Sequence, residues 1–75
     1  MNTKWYIGKF NKGRIFAVYK ATFDGTTLTS EQAWSLPHGT AWEKTNQVSQ
    51  WYFIGNDTVC EVTKAEARSY LPASV

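Results

Sequence analysis

The sequence predicts an α+β domain in which a small antiparallel sheet carries one helix at its C-terminal end. Apolar and polar residues alternate through the first 28 positions, and glycine-containing turn signals interrupt them twice, as in a β-meander. A second pair of apolar stretches, 49–54 and 58–62, surrounds another turn and resembles a second hairpin. A helix-capping pattern follows at Thr63 and Glu66. The predicted order is therefore β-β-β-(short α)-β-β-α.

Residues 4–10 and 15–23 are predicted to form the first hairpin, because Gly13 can take the positive φ that a tight turn needs. A two-residue loop at Lys12-Gly13 would give one apolar core face and one mixed face. The predicted core face consists of Tyr6, Gly8, Phe10, Ile15, Ala17, Tyr19, Ala21 and Phe23. The mixed face consists of Trp5, Ile7, Lys9, Asn11, Arg14, Phe16, Val18, Lys20 and Thr22. A second turn at Asp24-Gly25 leads into a short third strand, 26–28.

The rest of the chain contains two predicted helices and the second hairpin. Residues 29–36 form the short helix, which Pro37 ends. Strands 49–54 and 58–62 pair around Asn56-Asp57, which places Cys60 in a core patch with Trp51, Phe53 and Val62. The C-terminal helix starts after Thr63, runs through residue 71 and is expected to pack over Gly8 and Ala17, where small residues allow a close approach.

Length and composition allow one domain, residues 1–75. Aromatic residues make up 16% of the chain, which favours a dense core and leaves homo-oligomerisation open as a second source of stability. No apolar stretch reaches the ~20 residues that span a bilayer, and the N-terminal residues lack the apolar region of a signal peptide. The single cysteine fits a reducing compartment, so we expect a cytoplasmic protein that does not bind membranes.

The charge distribution marks a candidate partner-binding surface. The first 23 residues carry five cations and no acid (+5), whereas the other 52 carry three cations and six acids (−3). The candidate site consists of the basic and aromatic residues Trp5, Lys9, Lys12, Arg14, Phe16 and Lys20. Such a surface suits a protein partner, since interfaces favour aromatic residues and arginine, or a single nucleic-acid strand, whose phosphates and bases it would contact. Alternatively, segment 29–47 covers this face with Trp34 or Trp42.

No pattern in the sequence indicates catalysis. The only imidazole, His38, lies in a predicted turn, and Cys60 is expected to be a small buried apolar residue. Phosphate-binding glycine loops and clusters of metal ligands are absent from the sequence, so no enzyme, cofactor or metal site is predicted. We expect a small non-enzymatic protein-interaction domain of the kind found in phage- or mobile-element-type inhibitors or modulators that bind a larger host protein or complex. The alternative is a single-stranded nucleic-acid-binding module that uses the first hairpin.

Overall fold

The computed structural model describes residues 1–10, 13–55, 58–73 and 75, which form a five-stranded antiparallel sheet with a short C-terminal helix. The strands are β1 (Asn2–Lys9), β2 (Ile15–Asp24), β3 (Thr27–Ser35), β4 (Glu43–Lys44) and β5 (Val59–Val62). They are arranged in the order β4-β3-β2-β1-β5. Two helical segments complete the domain: a single helical turn of π type, Val48–Tyr52, and α1, Lys64–Ser69. The predicted α+β class is confirmed.

The β1–β2 hairpin has the predicted register over most of its length, with Tyr6 opposite Tyr19 and Gly8 opposite Ala17. A β-bulge then pairs Lys9, instead of Phe10, with Ile15. Bulges re-aim side chains, and this one brings Phe16 to the Tyr6 side of the sheet and Ile15 to the other. The predicted faces of these two residues were therefore wrong.

The turn of this hairpin is only partly described. The Phe10 N–H donates to the Arg14 carbonyl at 2.8 Å, and Gly13 has the expected positive φ, 83°. The predicted loop residue Lys12, and Asn11 before it, lie outside the described residues.

The predicted helix over 29–36 is wrong, because these residues continue β3 as far as Ser35. Phe23 faces Leu28 and Asp24 faces Thr27, so the turn lies one residue later than predicted, at Gly25 and Thr26. β3 pairs along β2 up to Ala17 opposite Ser35. This pairing gives the segment backbone hydrogen-bond partners along the edge that faces β2, and it outweighs the weak local preference for a helix.

The predicted strand over 49–54 is also wrong, because residues 48–52 form the helical turn. β5 consequently has no hairpin partner and pairs with the free edge of β1, with Cys60 opposite Ile7 and Glu61 opposite Tyr6. This pairing reverses the predicted surroundings of Cys60, which packs against the Ile7 cluster and is half-buried. The expected turn at Asn56-Asp57 lies outside the described residues.

The C-terminal helix begins where it was predicted, with the Glu66 N–H donating to Thr63 Oγ1 at 3.1 Å, and it ends at Ser69, two residues earlier than predicted. It packs on the face opposite to the predicted one, through Ala67, which is fully buried beside Ile7 and Val18. The spot over Gly8 is occupied instead by the Phe16 ring, since a Cβ atom on Gly8 would lie 2.7 Å from Phe16 Cζ.

The sheet therefore has a core layer on each side. We call one side the tyrosine face; its buried residues are Tyr6, Ala17, Tyr19, Ala21 and Phe23, with Val48 and Val59 packed among them. The opposite side is the tryptophan face, with Ile7, Val18 and Ala67 at its centre and Trp5, Ile15, Leu36, Trp42, Cys60, Val62 and Leu71 around them. The helical turn covers the first face, and α1 with the loop after β3 covers part of the second.

Candidate functional site

The residues of the predicted basic and aromatic site are separated in the structure. Trp5 and Lys20 lie opposite each other on the tryptophan face. Phe16 lies on the tyrosine face, and Arg14 is exposed at the end of the hairpin. Lys9 is half-buried next to the bulge, and its N–H donates to the Thr58 carbonyl at 2.8 Å. Lys12 lies outside the described residues.

Part of the tryptophan face is covered by segment 29–47 of the same chain, which was one of the three alternatives that the sequence left open. Trp42 makes edge-to-face contacts with Trp5 and Trp34, at ring-centroid distances of 6.1 and 5.6 Å. The ammonium nitrogen of Lys20 lies 4.3 Å from the centre of the Trp42 ring, a cation–π arrangement. Trp34 is buried, and its indole Nε1 has no hydrogen-bond partner. The cover comes from the loop before β4 as well as from α1.

Beside this cover, the tryptophan face presents a polar sheet surface, and Trp5 and Lys20, which contact Trp42, form its border with the cover. One row across four strands consists of Trp5, Lys20, Gln32 and Lys44, and the next consists of Thr3, Thr22 and Ser30. Every side chain in these rows is exposed or half-buried. The surface carries two cations, Lys20 and Lys44. Of the acids on its four strands, Glu31 and Glu43 pair with Ala21 and Ala33 in rows of the tyrosine face, and Asp24 lies at the far end of β2.

A second surface, which sequence reasoning missed, is apolar. Phe10, Phe53 and Ile54 are 55%, 54% and 74% exposed. The Phe10 ring lies 4.7 Å from Phe16, which lies 6.5 Å from Trp51, so the aromatic contacts continue into the helical turn. We call Phe10, Trp51, Phe53 and Ile54 the aromatic strip. Its signal in the sequence is the run of four large apolar residues at 51–54, which is too apolar for a strand with one solvated face.

The aromatic strip ends at an open cleft of about 280 Å³. The cleft is lined by Asn2, Lys4, Tyr6, Phe23, Gly25, Thr26, Tyr52, Phe53 and Glu61. Its walls are aromatic, with the Tyr6 and Tyr52 rings 4.9 Å apart and the Phe23 and Phe53 rings 6.3 Å apart. Charges of opposite sign complete it: the Lys4 ammonium lies 5.5 Å from the centre of the Phe23 ring, and Glu61 accepts a 3.3 Å hydrogen bond from the Tyr52 hydroxyl.

The tyrosine hydroxyls of the cleft stay protonated at neutral pH. Burial, together with the negative charge of Glu61, raises the pKa of Tyr6 to about 12. Burial and the adjacent Glu61 carboxylate also raise the pKa of Tyr52. The Tyr52 hydroxyl already donates its one proton to Glu61, so towards an occupant of the cleft it can only accept a hydrogen bond.

The structure also gives the positions of the other side chains considered for catalysis or metal binding. Within the described ranges, no three His, Cys, Asp or Glu side chains are grouped closely enough to hold a metal ion. His38 is exposed in the loop after β3, and Cys60 is half-buried against the Ile7 cluster. Among the helices that the structure describes, none has the length and apolar character to cross a bilayer.

Comparisons with protein-family models, with curated proteins and with solved structures found no match to this chain.

Proposed function

We propose that this chain is a non-enzymatic interaction domain that docks onto a larger protein through the aromatic strip. The observation that carries the proposal is the exposure of Ile54 and Phe53, two large apolar side chains at the end of a helical turn, in a domain whose sheet buries an apolar core on each face. Contiguous exposed apolar surface is typical of a binding site.

The energetics favour a protein as the occupant of the strip. Covering one exposed large apolar side chain is worth about 1.5–3 kcal/mol when burial is complete, and a few such anchors dominate most interfaces. The aromatic strip also contains Trp51 and Phe53, which belong to the residue types that interfaces favour. A domain of this kind acts as an inhibitor when the surface that it covers is one its partner needs.

Two matched variants test the proposal. Ile54→Asp alters the most exposed residue of the strip, whereas Lys20→Gln/Lys44→Gln alters the opposite face. We expect Ile54→Asp to keep the wild-type melting temperature, since Ile54 is largely exposed, and the lysine variant to lower it by a few degrees at most, since it removes the cation–π contact of Lys20 with Trp42. A protein that binds the wild-type domain and the lysine variant should not bind the Ile54→Asp variant. Retention by all three would contradict the proposal, and a wild-type dimer that Ile54→Asp dissociates would make a second copy the occupant.

The polar rows of the tryptophan face favour a second candidate function, the binding of a single nucleic-acid strand. Trp5 offers an aromatic side chain, and Lys20 and Lys44 offer cations beside Thr, Ser and Gln side chains. Sheet surfaces of this composition bind single strands by stacking and phosphate contact. Lys20→Gln/Lys44→Gln should then weaken binding of an oligothymidine and reduce its salt dependence by about one unit per lost phosphate contact. Equal affinity and salt slope in both proteins would exclude this function.

A further inference from the structure

The cleft at the end of the aromatic strip has the size and chemistry of an anchor pocket. At about 280 Å³ it lies just below the roughly 300–1,000 Å³ of sites that enclose whole ligands or cofactors. It opens beside Phe53, whose ring lies 5.2 Å from Tyr52 and belongs to both the strip and the cleft wall. A partner lying on the strip would therefore reach the cleft with a single side chain.

The walls of the cleft favour an aromatic occupant. Tyr6, Tyr52, Phe23 and Phe53 present rings in edge-to-face arrangements, with interplanar angles of 60° and 74° within the two pairs. Another ring can extend this pattern, because edge-to-face contacts bring the positive edge of one ring to the negative face of the next. Aromatic anchors inserted into pockets are also the commonest strong contacts in protein interfaces.

The charges of the cleft select a neutral occupant that carries a hydrogen-bond donor. Lys4 and Glu61 have opposite charges, so an ionised side chain attracted by one is repelled by the other. Glu61 accepts a long hydrogen bond from the Tyr52 hydroxyl at 3.3 Å, and a carboxylate has the capacity to accept several. A phenol or an indole supplies such a donor without adding a charge.

We propose that the cleft binds one tyrosine or tryptophan side chain of the protein partner, with the ring between the aromatic walls and its O–H or N–H donating to Glu61. This inference rests on the proposed function, and it names the chemistry of the partner residue at the end of the strip.

The test uses small probes that do not require the partner. In an NMR titration, N-acetyl-tyrosinamide should shift amide signals of the cleft residues and should bind on the order of tenfold more tightly than N-acetyl-phenylalaninamide, the factor expected for one hydrogen bond to a charged group. N-acetyl-argininamide should bind more weakly than the tyrosine probe. Tighter binding of the arginine probe, or shifts centred on the tryptophan face, would overturn the proposal.

Two exposed glutamates provide a matched pair of variants. Glu61→Gln removes the charged acceptor and should reduce the preference for tyrosine over phenylalanine to about threefold, because the neutral hydrogen bond that remains is roughly half as strong. Glu66→Gln changes an exposed glutamate on α1 and should keep the full preference. An unchanged preference in Glu61→Gln would overturn the assignment of Glu61. If the probes do not bind but Ile54→Asp still abolishes partner binding, the pocket assignment alone is overturned. If the probes bind but the partner binds the Ile54→Asp variant as well as the wild type, the proposed function is overturned.

Discussion

Glu31 and Ser49 are joined by two hydrogen bonds that connect the sheet to the helical turn. The Ser49 N–H donates to Glu31 Oε1 at 3.0 Å, and its hydroxyl donates to Oε2 at 2.7 Å. Glu31 is only 9% exposed, so its carboxylate depends on these bonds to replace water. Since residues 51–54 follow Ser49 after one intervening residue, this connection also positions most of the aromatic strip.

Removing the Glu31 carboxylate should destabilise the domain. Glu31→Ala leaves the Ser49 donors without their charged acceptor, and we expect the free energy of unfolding in urea to fall by about 1.5–3 kcal/mol. Glu43→Ala, at an exposed position of β4, should change it by less than about 0.5 kcal/mol. A double-mutant cycle with Ser49→Ala should give a coupling of about 0.5–3 kcal/mol. Zero coupling would show that the two side chains act independently.

The tyrosine core should make stability sensitive to alkaline pH. Burial raises the pKa of Tyr19 to about 12, and its hydroxyl donates to Gln47 Oε1 at 2.5 Å. The unfolded chain releases this proton near pH 10, whereas the folded chain keeps it, so the stabilisation is complete below about pH 10 and is lost as pH rises towards 12. Each such tyrosine adds at most about 1.4 kcal/mol per pH unit to the slope.

Tyr19→Phe tests this assignment through the slope of stability against pH. The variant should lose the Tyr19 share of the alkaline dependence and keep the share of Tyr6, whose pKa is also raised to about 12. Unfolding in urea at several values between pH 8 and pH 11.5 measures both slopes. An identical slope in the two proteins would mean that Tyr19 ionises in the folded state as readily as in the unfolded chain.

The parts of the fold that the sequence predicts are those determined by neighbouring residues. Alternation sets the β1–β2 register, which brings Tyr6 opposite Tyr19, and Thr63 begins α1 by capping its first turn. Both features depend on residues a few positions apart or on one tight turn, so local rules suffice.

The errors occur where distant contacts decide the structure. Residues 49–54 look like a strand from their aromatic content, but the Glu31 carboxylate, 18 positions away, holds Ser49 at the start of a helical turn. The bulge that moves Phe16 to the tyrosine face has no signal in the local pattern. The prediction placed Phe16 on one face with Trp5 and Lys20, so the bulge divides the predicted site. The aromatic strip was missed because Trp51 and Phe53 were assumed to alternate into a core.

The packing of α1 on the tryptophan face predicts a strong difference between two alanines. Ala67 is fully buried beside Ile7 and Val18, whereas Ala65, on the same helix, is exposed. Ala67→Leu should therefore overpack the contact and lower the free energy of unfolding by about 1–3 kcal/mol. Ala65→Leu, which adds the same side chain to the exposed side, should change it by less than about 0.5 kcal/mol. Equal changes in the free energy of unfolding would contradict the packing of α1 on the tryptophan face through Ala67.

The rate of thiol labelling of Cys60 reports on which face of the sheet this residue lies. Cys60 lies opposite Ile7 and packs against the same cluster as Leu71, so native thiol labelling should be slower than labelling of the unfolded chain. Leu71→Ala should accelerate labelling, because it removes a side chain packed against the cluster that Cys60 contacts. Phe53→Ser, on the tyrosine face, should leave the rate unchanged when both variants are measured well below their melting temperatures. Faster labelling in Phe53→Ser alone would place Cys60 among Trp51 and Phe53, which is its position in a hairpin of 49–54 with 58–62. That result would contradict the pairing of β5 with β1.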